Sequence, residues 1–228
     1  MKCQIFYNLR KERDILSIKH KRLLMTLGGV LICGISVGLF KRAAFGVDPF
    51  QSLMSGLDAL IPISFGTLYV IVNVILLSFS FFVDRHYIGI ATLINLFFFG
   101  YITQFILDIL LQVFPELSLT ARIIMLIIAI VIMCFGSSLY FVADLGVSTY
   151  DAIALVLSEK WHIAKFKYCR IVTDFICVAL GVGLYLLSGG SLSTIMEIAG
   201  VATIITAFFM GPLIEFFNVR ISKPFLNR

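Results

Sequence analysis

Leu39-Phe40-Lys41-Arg42-Ala43-Ala44-Phe45-Gly46-Val47 stands near the end of the first long apolar run, and one hundred residues later Leu139-Tyr140-Phe141-Val142-Ala143-Asp144-Leu145-Gly146-Val147 repeats its pattern. A second pair follows in the same order: Gly89-Ile90-Ala91-Thr92-Leu93-Ile94-Asn95-Leu96-Phe97-Phe98-Phe99-Gly100 against Gly200-Val201-Ala202-Thr203-Ile204-Ile205-Thr206-Ala207-Phe208-Phe209-Met210-Gly211. Matches in one order at both ends of each half point to an internal duplication. Each half then contains one long apolar stretch, one short helix-like segment and two more long stretches. Three crossings are odd, so the second half enters the membrane from the opposite side and the repeats are inverted.

Composition sets the same frame. Of 228 residues, 60% are apolar and 14% charged, and the mean hydropathy is +1.04, beyond what a water-soluble domain exposes. Six long apolar stretches lie at about 23–40, 66–83, 87–113, 122–142, 171–188 and 198–217, each near the roughly 20 residues a crossing helix needs. The length leaves no room for a folded extramembrane domain, which excludes a large soluble catalytic domain, and the composition excludes a collagenous chain or a disulfide-stapled module. The expected fold is an all-α integral membrane protein with six transmembrane helices as two inverted three-helix repeats, each with an additional short capped helix. A basic arm at 1–22 leads into repeat 1 at 23–115, repeat 2 spans 122–217, and a basic tail occupies 218–228.

Charge orients the chain. The arm holds Lys2, Arg10, Lys11, Arg13, Lys19, Lys21 and Arg22 against two acids. With the arm in the cytoplasm, fifteen Lys/Arg fall on that side and three, Lys41, Arg42 and Arg122, on the other, so both termini are expected in the cytoplasm. Ile5, Phe6, Leu9, Ile15, Leu16 and Ile18 suit the apolar side of a short surface helix on the membrane. The five cysteines form no C-x-x-C pair, and the three histidines lie outside the apolar stretches. Neither a metal site, a disulfide framework nor a nucleophile–base pair is implied. No catalytic residue, metal or other cofactor is expected, and the chain is not read as an enzyme.

The two short segments, 49–61 and 149–158, start alike. Asp48-Pro49-Phe50-Gln51 reads as an N-cap, a Pro at the first helical position and a Gln two residues on; Ser148-Thr149-Tyr150-Asp151 reads as an N-cap with an acid at the third position. Helix starts within the hydrocarbon would present free N–H groups and positive dipole ends to a polar or anionic solute. The rival arrangement lays both helices flat at the interface. Asn73, Asn95 and Gln104 fall inside their stretches, while Thr92, Thr203 and Thr206 lie in the repeated segments; they either line a polar cavity or bond to neighbouring helices. Asp108, Asp174, Glu197 and Glu215 sit near the ends of stretches, with Arg170 four residues before Asp174, as interfacial ions. The expected solute-binding residues are Asp48, Gln51, Thr92, Asn95, Ser148, Asp151, Thr203 and Thr206.

The Gly46-Val47-Asp48-Pro49-Phe50 element, followed by Gly66-Thr67, the Gly89-x-Ala91-Thr92 element and its second copy ending Gly211-Pro212-Leu213-Ile214, resembles the YczE/YitT family of bacterial multipass membrane proteins. The resemblance covers roughly residues 22 to 218. Ala91 and Ala202 stand where that pattern has Gly, and Ser148-Thr149 replaces its Asp-Pro pair in the second copy. It implies a bacterial inner or plasma membrane and supplies no substrate. The duplication and broken-helix pattern point to a small-solute permease working by alternating access; the alternative is a non-transporting accessory or regulatory protein that binds a partner through its basic arm and tail. Expected partners are membrane lipids, a small solute and a second copy of the chain as a homodimer, and not nucleic acid.

Overall fold

The computed structural model describes the backbone of residues 2–85 and 88–227 and the side chains of 18–85, 88–165 and 168–227. Among these the regular structure is all helical. Six helical stretches are long and apolar enough to cross a membrane: Ile18–Ala43, Phe65–Val83, Ile90–Val113, Leu119–Ala143, Tyr168–Leu187 and Leu192–Asn227. They belong to α1 (Lys2–Ala43), α3 (Phe65–Val83), α4 (Ile90–Val113), α5 (Leu119–Ala143), α7 (Phe166–Leu187) and the final run containing α8 (Ile195–Ile198), α9 (Val201–Phe217) and α10 (Lys223–Asn227). Two short helices intervene, α2 (Pro49–Leu60) and α6 (Thr149–Leu155), the latter continuing as a π-helical turn to Lys160.

Caps explain where these helices begin. Ser64 accepts the Thr67 N–H at 3.4 Å and starts α3, while Ser118 accepts the Ala121 N–H at 3.3 Å and starts α5 ahead of its apolar run. α7 begins at Phe166, ahead of its apolar stretch, without a side-chain cap. α1 runs unbroken from the arm into the first crossing, so the arm's backbone continues that helix instead of forming a separate surface helix. The side chains of Ile5, Phe6, Leu9, Ile15 and Leu16, and of Lys2, Arg10, Lys11 and Arg13, lie outside the described residues.

Close helix packing rests on small residues, as expected where lipid removes a hydrophobic drive between helices. α1 and α5 lie side by side, with Gly29 against the Gly136 backbone and Ser36 Oγ donating to the Ala129 carbonyl at 2.7 Å. Gly34 and Gly38 of α1 accommodate Ile102 and Ile106 of α4, and Gly56 of α2 meets Gly181 of α7 backbone to backbone. Val37, Phe40 and Met54 are fully buried, whereas Phe82, Phe105, Phe175 and Phe208 are exposed by 64–84%. An apolar surface of that extent suits a lipid environment and not water.

At one end of the bundle, Arg122 donates to the carbonyls of Ala43 and Ala44 at 2.8 and 2.7 Å, Arg42 bonds to the Phe114 and Pro115 carbonyls, and Lys41 lies over the Phe65 ring. At the other, Lys160 bonds to the Val83 carbonyl and Arg22 lies 3.9 Å from Asp144. α3 connects the two ends. Because α2 finishes just before Phe65 and the turn after α6 finishes at Lys160, the short helices run outward to opposite ends.

The loops before the short helices share a backbone signature: Ala44 and Asp144 have φ of 55° and 52°, Gly46 and Gly146 have φ of 98° and 114°. Each loop is tied to a helix start elsewhere. The Phe45 carbonyl accepts the Ala202 N–H at 2.9 Å, and the Leu145 carbonyl accepts the Ala91 N–H at 3.0 Å. A Cβ at Gly46 would strike Gly200 and Thr203, and one at Gly146 would strike Gly89 and Thr92. Gly46→Ala and Gly146→Ala each impose about 1–3 kcal/mol of backbone strain in addition to the clash. Both should lower the thermal unfolding midpoint in detergent, whereas Gly183→Ala, where a Cβ meets nothing within 4 Å, should change it little.

Candidate functional site

The two short helices start in the interior, beside one cavity of about 320 Å³. Six of the expected residues line it together: Asp48, Gln51, Asn95, Ser148, Asp151 and Thr206. Asp48 caps α2 by accepting the Gln51 N–H at 3.2 Å, and Ser148 caps α6 by accepting the Asp151 N–H at 3.0 Å. The starts of both short helices are thus in the protein interior, and neither helix lies flat along an outer surface.

Thr92 and Thr203 are placed differently from the expectation. Each lies in the first turn of its helix, accepting from the Gly89 and Gly200 N–H groups respectively at 3.2 Å. Thr92 donates to the Val147 carbonyl at 2.6 Å and Thr203 to the Ile198 carbonyl at 3.5 Å. Their hydroxyls close the starts of α4 and α9 and do not reach the cavity. Gln104 likewise serves a neighbouring helix, accepting the Gly66 N–H at 3.2 Å. Asn73 does line the cavity, donating to the Tyr69 carbonyl at 2.8 Å and accepting from Thr149.

One wall carries an ion cluster that the sequence divides between two separate segments. Arg170 pairs with Asp151, sits 3.2 Å from Asp174, and lies 4.3 Å over the Tyr150 ring. Tyr150 donates to Asp174 at 2.5 Å, and Ser148 donates to Asp151 at 2.6 Å. Burial pushes the Tyr150 hydroxyl up, which keeps it protonated as a donor. Arg170 and Asp174, expected as interfacial ions near the end of their stretch, thus line the cavity. Their four-residue spacing was a visible signal; the partnership with Asp151 needed the fold.

Asp48 is held differently. Among the described residues no cation lies within ion-pair distance of it. Burial pushes its carboxyl from 3.8 up to about 6, against the opposing pull of the Gln51 N–H and of the more distant Arg170. Beside it Gln51 is 2% exposed, and its Oε1 has no hydrogen-bond partner; the buried Tyr140 hydroxyl, also on the cavity, has none either. Aromatic rings complete the walls: Phe50 stacks on Tyr150 at 4.9 Å and Tyr69 on Phe99 at 5.2 Å. Among the described residues no three His, Cys, Asp or Glu side chains are grouped to hold a metal ion.

A carboxyl titrating higher in the native than in the unfolded state stabilises the protein below about pH 4, and that stabilisation is lost as pH rises to about 6. Ionised Asp48 is therefore a net cost at neutral pH. Asp48→Asn keeps a good cap and should raise the detergent melting temperature at pH 7.5, with a gain of at most ~3 kcal/mol. The gain should fade as pH falls from 6 towards 4; equal melting curves across that range would contradict the assignment.

Residues 20–219 match a family described as "Family of unknown function (DUF6198)". Similar proteins include "Uncharacterized protein YyaS" of Bacillus subtilis strain 168, 22% identical over 200 residues covering 88% of this chain and 94% of the relative. An "Uncharacterized protein" of Haemophilus influenzae Rd is 24% identical over 204 residues, covering 87% and 84%. "Uncharacterized membrane protein YczE" of Bacillus subtilis is 24% identical over 192 residues, covering 82% and 81%. No solved structure matches the chain significantly. Six membrane-length apolar helices agree with the membrane relative, and the chain, matched across the whole membrane region, belongs to the DUF6198 family.

Proposed function

We propose that this protein is a small-solute permease of a bacterial cell membrane, built as two inverted three-helix repeats and working by alternating access. The observation that carries this reading is the cavity shared by two short helices that start inside the bundle and run to opposite ends. Broken helices that meet at mid-membrane are how inverted-repeat transporters form a solute site.

Contacts between repeat equivalents support the inversion. Residues that touch their own counterparts lie close to a two-fold axis, as in an isologous interface. Phe50 stacks on Tyr150, and Cys33 Sγ lies 3.9 Å from the Met133 carbonyl, each pair one hundred residues apart. The loop at 45–47 bonds to the start of α9, and the loop at 145–147 bonds to the start of α4. That exchange is reciprocal, as a two-fold arrangement requires.

The cavity is lined towards one end by Tyr140, Phe141 and Ile214, near the finish of α5 and α9. The opposite end carries the Arg42 and Arg122 bonds. With the basic arm and tail in the cytoplasm, the arginine contacts close the outer side, and tilting one half against the other would part them. No bond-making chemistry is assigned to the site.

The test uses single cysteines at Gln51 and Ser148 in a cysteine-free background, with a membrane-impermeant thiol reagent applied to intact cells and to inverted vesicles. Glu116→Cys and Lys223→Cys report sidedness, the first expected to label only from outside and the second only from inside. A permease should show both cavity positions labelled from both sides. Labelling of each from one side alone would remove alternating access and favour the accessory-protein role.

A further inference from the structure

We propose that the cavity takes a small organic cation, a protonated amine on a compact hydrocarbon body, with Asp48 as its counter-ion. This deepens the permease reading and uses its site. The groups that would welcome an anion are already engaged. The Gln51 N–H at the start of α2 is held by Asp48, and the Asp151 N–H at the start of α6 by Ser148. Arg170, the cation in the lining, is gripped by Asp151 and Asp174 and lies over Tyr150. An incoming anion would meet three carboxylates and one guanidinium already committed to two of them.

A cation meets the opposite conditions. Asp48 has no ion-pair partner among the described residues, and the carbonyl oxygen of Gln51, 2% exposed and on the cavity wall, has no donor. The Tyr140 hydroxyl is a second buried polar group on the cavity without a hydrogen-bond partner. Leaving such groups unsatisfied is costly, and an ammonium satisfies the two acceptors with its own N–H groups. Phe50, Tyr69 and Phe99 line the cavity and supply contact area for hydrocarbon. About 320 Å³ lies at the small end of ligand cavities, which suits a compact amine.

The purified full-length protein in detergent at pH 7.5 would be titrated with benzylammonium, benzyl alcohol and benzoate, reading calorimetric binding and thermal shift. Benzylammonium should bind and raise the melting temperature, with the alcohol and the carboxylate at least tenfold weaker. Asp48→Asn should weaken benzylammonium tenfold or more without lowering the protein's own melting temperature, while Asp108→Asn, on an exposed face of α4, should bind normally. Gln51→Leu should weaken binding several-fold, and it carries the comparison if Asp48→Asn does not yield folded protein. Preference for benzoate, equal binding of the alcohol, no benzylammonium binding, or binding indifferent to both substitutions would overturn the proposal. Two-sided labelling without ammonium preference would overturn only the cation. One-sided labelling with Asp48-dependent ammonium binding would overturn only the permease.

Discussion

A chain that breaks its helices inside a membrane has to supply a partner for every backbone N–H and carbonyl it frees, because hydrocarbon offers none. This protein meets that demand by exchange between its halves. The carbonyls of Phe45 and Leu145 take the N–H groups of Ala202 and Ala91, and Thr92 donates to Val147. Gly46 and Gly146 allow both the loop conformation and the close approach. The interior starts of α2 and α6, and so the cavity between them, depend on these bonds.

Within that frame the charges divide into two kinds. Asp151, Asp174 and Arg170 satisfy one another, with Tyr150 and Ser148 adding donors and a ring face. Such a cluster is costly to desolvate and rigid once formed. Asp48 is supported by the helix cap and by the more distant Arg170, with no ion-pair partner among the described residues, and burial works against its charge. A charged group facing a cavity without an ion-pair partner is where stability and function can be in opposition.

The apolar stretches, the two short capped helices and their likeness to each other were legible because length and capping chemistry are local properties. Asp48, Gln51, Ser148 and Asp151 were readable as helix-start residues, and their meeting in one cavity follows from the packing. Thr92 and Thr203 were read as solute contacts because they are repeated polar residues in an apolar run, while a threonine in the first turn of a helix can equally bond its own backbone, as both do here. The role of Arg170 was hidden for another reason. Its sequence neighbour Asp174 is an adequate partner for a surface pair, and only the packing of α6 on α7 brings Asp151 to it. The continuous α1 was obscured by its change from basic to apolar composition, which alters surroundings without interrupting the helix.

The reciprocal loop bonds also bear on biogenesis. During synthesis the first half can insert its three long helices, yet the Ala91 N–H has no acceptor until Leu145 has left the ribosome, and the Phe45 carbonyl waits for Ala202, near the end of the chain. Neither half can complete its backbone bonding alone. These bonds can therefore close only once α9 has met the first loop and the second loop has met α4.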